Sequence, residues 1–152
     1  MSYSIDTSSL IDASLLYPPD VFPGVWELME EMIAQGELVA SKQVYVELSQ
    51  KEDSLLEWAK CHDSMFVEVD EETQEIVKSL PDLEKLVDPN KAREDADPFV
   101  IALAKREGRA VVSEERPSGT PANKLKIPDV CERVSVPCMR LLEMLRETGK
   151  AF

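Results

Sequence analysis

Histidine is almost missing from this chain, with His62 the only one, and cysteine is limited to Cys61, Cys131 and Cys138. A soft-metal site needs about four convergent nitrogen or sulfur ligands, which these residues do not supply. Three cysteines without C-x-x-C spacing also give no disulfide framework, and they are expected to pack as small buried hydrophobes. There is no G-x-S-x-G elbow, so a Ser-His-Asp or Cys-His hydrolase has little support. No apolar run approaches the roughly 20 residues that cross a bilayer, so no membrane association is expected. The start of the chain has no basic stretch followed by an apolar one, and the cytoplasm is the expected compartment.

Basic residues are scarce in the first part. Residues 1–90 carry 20 acids and 5 bases, residues 91–152 carry 10 acids and 12 bases, and the net charge is −13. Such a protein repels phosphate at long range. Nucleic-acid contact is therefore expected only through the C-terminal part with the help of cations, unless the acidic surface meets a basic protein.

What is present suits one compact domain spanning residues 1–152, since 43% of the residues are hydrophobic. Tyr3, Ser4 and Ile5 suit a short strand, after which Thr7, Ser8 and Ser9 offer cap oxygens for a helix that carries Leu10 and Ile11 inward. A helix is expected from Pro23 to Gln35, with Val25, Trp26, Met29, Met32 and Ile33 on its apolar side, closed by Gly36. Residues 37–40 read as a strand, and Ser41 caps a helix containing Val44, Tyr45, Val46, Glu47 and Leu48. Asp53 caps the next amphipathic segment, Phe66 and Val67 are extended, and the acids at 70–75 open another helix. Residues 81–90 read as a break. Asp97-Pro98 reads as a cap and first helical residue for the apolar stretch 99–104, which Gly108 ends. A buried strand at 109–113 runs into Glu114 and Glu115, and 116–126 is a loop. A helix from Pro128 to Val134, a short strand at 136–139 and a closing helix with Leu141, Leu142, Met144 and Leu145 complete the chain. Strands alternating with helices imply a three-layer α/β/α arrangement around a parallel sheet.

The acids then form a set. Asp6, Glu47, Asp97 and Glu114 or Glu115 sit at strand ends or helix starts across most of the chain, as loops do that meet at the carboxyl edge of a parallel sheet. Carboxylates brought within a few Å repel and raise one another's pKa unless a divalent cation offsets them. Oxygen ligands suit Mg or Mn, as one or two ions. Metal-assisted phosphodiester hydrolysis is the chemistry such a set supports. Each acid also has a simpler reading: Asp6 in a turn, Glu47 paired with Lys51, Asp97 as a cap. An aspartyl-nucleophile phosphatase fits less well, because that chemistry usually places an acid two residues later, where Ser8 stands.

At this point the sequence resembles the PIN domains, especially VapC-like toxin ribonucleases and their PIN-like relatives. The residues that carry the resemblance are Tyr-Ser-Ile-Asp6-Thr-Ser-Ser-Leu-Ile-Asp12, Val44-Tyr-Val-Glu47-Leu, Ala96-Asp97-Pro-Phe-Val-Ile-Ala-Leu-Ala104 and Ala110-Val-Val-Ser113-Glu-Glu115. The ending from Lys126-Ile-Pro-Asp-Val-Cys131 through Leu141-Leu-Glu-Met-Leu145 looks like the PIN-like relatives. The resemblance implies an α/β/α sandwich and an acidic pocket in which Asp6, Glu47, Asp97 and Glu115 hold Mg or Mn and act catalytically. Thr7, Ser113 and Glu114 would support them. Glu stands at 115 where the family commonly has Asp, and Glu114 competes for the same role. Asp12 and Asp95 are expected at the surface or behind the ligands. The resemblance further implies an endoribonuclease acting on RNA as the toxin of a toxin-antitoxin pair, a small antitoxin partner and a homodimer, in which Trp26 or Trp58 could take part if exposed. The alternative is a PIN-like scaffold that binds metal or protein but cuts nothing. Lys105, Arg106, Arg109, Arg116, Lys124 and Lys126 are candidate guides for an RNA backbone.

Overall fold

The structure is a computed structural model that describes residues 1–86, 95–118 and 125–152. Its centre is a parallel sheet of β1 (Tyr3–Ile5), β2 (Leu38–Ser41), β3 (Phe66–Val67), β4 (Ala110–Val112) and β5 (Cys138–Met139), in the order β3-β2-β1-β4-β5. Among the described residues the helices are α1 (Thr7–Leu16), α2 (Pro23–Ala34), α3 (Lys42–Leu48), α4 (Ser54–Cys61), α5 (Glu71–Ser79), α6 (Leu83–Leu86), α7 (Asp97–Glu107), α8 (Ile127–Val134) and α9 (Leu141–Glu147). A single 3-10 turn, Asp63–Met65, precedes β3.

Alternation along β1 assigns the faces of the sheet. Successive strand side chains point to opposite sides, and Ser4 donates to the Val100 carbonyl of α7 at 3.0 Å while Tyr3 donates its hydroxyl to Glu147 of α9 at 2.6 Å. Helices thus cover both faces, giving the α/β/α layering that the sequence implied. Helix α7 packs on β1, β2 and β4 and touches α5, α6 and α8 as well. That explains the unbroken apolar run at 99–104: a helix enclosed by sheet and helices has little polar face to show. Val100, Ile101, Ala102 and Ala104 are fully buried. The helix ends at Gly108, whose φ of 67° is the left-handed conformation that glycine adopts without a Cβ penalty.

The topology creates the site. The chain leaves β1 for β2 and β3 on one side, then crosses to β4 and β5 on the other. Loops leaving β1 and β4 therefore diverge, opening a crevice at the carboxyl edge where ligands bind in open α/β sheets. Ile5 pairs with Val112, and the Asp6 N–H donates to the Val112 carbonyl at 2.8 Å, so Asp6 and Ser113 leave the sheet side by side.

Several expectations need correction. Ile11 does not turn inward with Leu10. It is 41% exposed, because Ser9, Leu10 and Ala13 already fill the buried side of α1 and position 11 falls about 100° from Leu10. Asp97 is the first residue of α7, not its cap; Ala96 occupies that place, and Asp95 accepts the Asp97 N–H at 3.1 Å. Asp95 is buried. The break expected at 81–90 contains the short α6, and its remainder, with that part of the 116–126 loop numbered 119–124, lies outside the described residues. Cys61 is exposed while Cys131 is buried, and all three cysteines are free thiols. Trp26 is core and offers no surface contact; Trp58 packs edge-on against it, ring centres 5.0 Å apart.

Candidate metal centre at the carboxyl edge of the sheet

Asp6 occupies the cap position of α1 but caps nothing with its side chain. Its Oδ2 instead accepts the hydroxyls of Ser8 at 2.7 Å and Ser113 at 3.1 Å. Ser8 and Ser113 lie 3.4 Å apart, and Ser8 also accepts the Glu114 N–H at 3.1 Å, which ties the start of α1 to the end of β4. The hydroxyls read in the sequence as cap oxygens therefore have another use. Ser8 fixes Asp6, Ser9 donates to Glu114 at 3.2 Å, and Thr7 donates to Glu47 at 2.6 Å.

Carboxylate oxygens of Asp6, Asp97 and Glu115 lie within 4.8 Å of one another. Each arrives by a different route: Asp6 from the end of β1, Asp97 from the start of α7 beneath the sheet, and Glu115 from just past β4. Asp6 is 2% exposed. Burial, reinforced by the charges of Glu115 and Glu47, pushes Asp6 up to about 6 even though Ser8 and Ser113 stabilise its ionised form. Burial and the charges of Asp6, Glu115, Asp95 and Glu47 push Asp97 up to about 9. Held there, Asp97 keeps its proton at neutral pH unless a neighbouring positive charge takes its place. The donor set is oxygen only, which fits a hard divalent cation and not zinc.

Glu47 stands apart from this triangle. It lies near the end of α3, close enough for its charge to act on Asp6 and Asp97, with its Oε1 bonded to Thr7. Glu114 and Glu115 have different partners. Glu114 accepts the Leu141 N–H at 2.7 Å and pairs with Arg140 at 3.2 Å, so its carboxylate serves the start of α9. Glu115 accepts the Ile127 N–H with Oε1 at 2.9 Å and joins the cluster.

Sequence reasoning gave no site role to Ser8 and left Asp95 either at the surface or behind the ligands. The Asp-x-Ser spacing was a visible signal for the first; the second became evident only when the first turn of α7 was placed. Of the candidate phosphate guides, Lys105 and Arg106 end α7 and Arg109 precedes β4, placing all three at the opposite edge of the sheet from Asp6. Lys105 donates to the Val134 carbonyl, Arg106 pairs with Asp70, Glu72 and Glu107, and Arg109 pairs with Glu107. Arg116 follows Glu115 and Lys126 precedes Ile127, whose N–H holds Glu115, whereas Lys124 lies outside the described residues. Lys42, which starts α3 at the same edge as Asp6, sits 4.5 Å from the Tyr45 ring centre.

A family described as a domain of unknown function, DUF4411, matches residues 3–152. The chain belongs to the DUF4411 family. No match to this DUF4411 sequence is found among curated proteins. In three dimensions the DUF4411 chain is similar to a chain in the crystal structure of VapBC2 from Rickettsia felis bound to a DNA fragment from their promoter. The TM-score is 0.53 at 12% identity, covering 92% of this chain and 98% of that one. At that identity the similarity concerns the fold, which is PIN-like, as the sequence resemblance implied.

Proposed function

We propose that this protein is a metal-dependent endoribonuclease in which Asp6, Asp97 and Glu115 hold Mg or Mn and Glu47 completes the acidic pocket. The carrying observation is the triangle of carboxylates within 4.8 Å at the crevice between β1 and β4. A bound divalent ion there supplies charge stabilisation at a phosphodiester and lowers the pKa of a coordinated water. The chain's own residues do the rest. Ser8 and Ser113 hold Asp6 in place through Oδ2, and Thr7 fixes Glu47 at the rim, where a carboxylate can accept a proton from the attacking water. Lys42, Arg116 and Lys126 are the candidate guides for the phosphate backbone.

The similarity to a VapBC2 chain supports a toxin with a small antitoxin partner. An acidic protein of net charge −13 favours a partner with basic residues. A homodimer and a cytoplasmic site of action complete the reading; no helix among the described residues is long and apolar enough to cross a membrane.

The test is cleavage of a pool of structured RNAs by purified protein in Mn or Mg, beside EDTA and an Asp6→Asn variant. Cutting should need the cation and vanish in the variant. Manganese binding by wild type without any cutting would replace the nuclease with a metal-binding scaffold. Cutting that survives Asp6→Asn would refute the site.

A further inference from the structure

Glu115 has the longest arm of the three carboxylates and stands three residues past the end of β4, where its N–H donates to Ser113 Oγ at 3.2 Å but its carboxylate is held from elsewhere. Its Oε1 accepts the N–H of Ile127 at 2.9 Å. That donor is one of the orphan N–H groups in the first turn of α8, and its position depends on where the helix begins. Asp129 decides this. Its Oδ2 accepts the Lys126 N–H at 2.8 Å, and both of its oxygens lie 3.2 Å from the Ser118 nitrogen. Hydrogen bonds to these backbone donors, with Arg133 nearby, keep the Asp129 carboxyl below its ordinary range although burial opposes them.

A carboxylate in the first turn that binds the residue before the helix is ordinary capping. The bond to Ser118 is not. It brings the chain just past Glu115 against the start of α8, so that one side chain holds both Ser118 and Lys126. We propose that Asp129 is a positioning residue for the metal centre: it fixes the start of α8, α8 presents the Ile127 N–H, and this N–H orients Glu115 toward Asp6 and Asp97. The proposal rests on the metal reading above. It also accounts for Glu at 115, since an arm one methylene longer than Asp can bond to α8 with one oxygen and reach the cluster with the other.

The experiment is a double-mutant cycle read by calorimetric titration with MnCl2 and by thermal melting in EDTA, on wild type, Asp129→Ala, Glu115→Gln and the double variant. Asp129→Ala is expected to weaken manganese binding about tenfold, the lower end of the range for residues that orient metal ligands. In the Glu115→Gln background the same change should alter affinity less than about twofold. The drop in melting temperature should be alike in both backgrounds. Equal affinity losses in the two backgrounds, or no loss in wild type, would overturn the proposal while leaving the metal site intact. A wild type that binds no manganese would overturn both. Should Asp129→Ala fail to fold, Asp129→Asn, which keeps one acceptor oxygen, is judged by the same comparison with about a threefold loss expected.

Discussion

Replacing Asp97 by Asn should stabilise the cation-free protein at neutral and alkaline pH. Asp6 and Asp97 are held at about 6 and about 9, both above the ordinary carboxylate value of about 3.9 in an unfolded chain. Between the unfolded and folded values the folded state binds more protons, so stability falls as pH rises. The penalty is absent below about pH 4 and grows through pH 6 toward pH 9. For buried Asp6 alone, the difference between about 3.9 and about 6 corresponds to about 3 kcal/mol as an upper bound. Asp97 ionises last in a coupled set, so its larger shift already contains its neighbours' charges and is not added to theirs. Asn keeps the shape of the side chain, removes one charge and can donate to the remaining carboxylates. We expect a gain of about 1 to 3 kcal/mol at pH 8 in EDTA, which for a domain of this size is roughly 3 to 10 °C in melting temperature. At pH 4 the two proteins should melt alike. Manganese should raise the melting temperature of wild type at pH 8 and leave Asp97→Asn nearly unmoved. The assay is calorimetry or circular dichroism melting of both proteins in EDTA from pH 4 to 9, repeated with MnCl2 near neutrality. A variant less stable than wild type at pH 8, or a wild type whose cluster-dependent stability increases with pH, would refute the electrostatic argument.

Other outcomes follow from the same geometry. The Ser8→Ala, Ser113→Ala double variant strips Asp6 Oδ2 of both hydroxyl donors; it should raise the Asp6 pKa further and weaken manganese binding about tenfold in a calorimetric titration. Glu114→Gln removes the partner of Arg140 and weakens the bond to the Leu141 N–H; urea denaturation should show a loss of about 1 kcal/mol, with manganese affinity unchanged. Ile101→Ala empties a fully buried position in α7; the urea midpoint should shift by the equivalent of about 2 to 5 kcal/mol at constant m-value.

Local signals decided the elements. The strand at Tyr3–Ile5, the caps at Ser41 and Asp53, the acidic start of α5, the glycine stops at 36 and 108 and the apolar run of α7 depend on a residue and its near neighbours, and the structure contains each of them. Alternation of strands with helices then restricted the fold to a parallel layered sheet, and that restriction placed Asp6 and the residues after β4 on one edge. Direction around a helix was harder to judge, because one residue turns a side chain by about 100°, which is why Ile11 points to solvent and Asp97 begins its helix without capping it.

What remained depended on distances that no spacing in the sequence encodes. Glu114 and Glu115 are adjacent and chemically identical; only the approach of α9 to one and α8 to the other separates their tasks. Lys105, Arg106 and Arg109 read as candidate phosphate guides until the strand order put them on the far edge of the sheet. Thr7, Ser8 and Ser9 looked like alternative caps for one helix, yet each hydroxyl finds a different carboxylate: Glu47, Asp6 and Glu114. Residue type and periodicity determined which groups the chain could bring to this edge. Packing of α7 beneath the sheet and of α8 and α9 beside it decided which carboxylates stand close enough to repel, and so where a cation would be held.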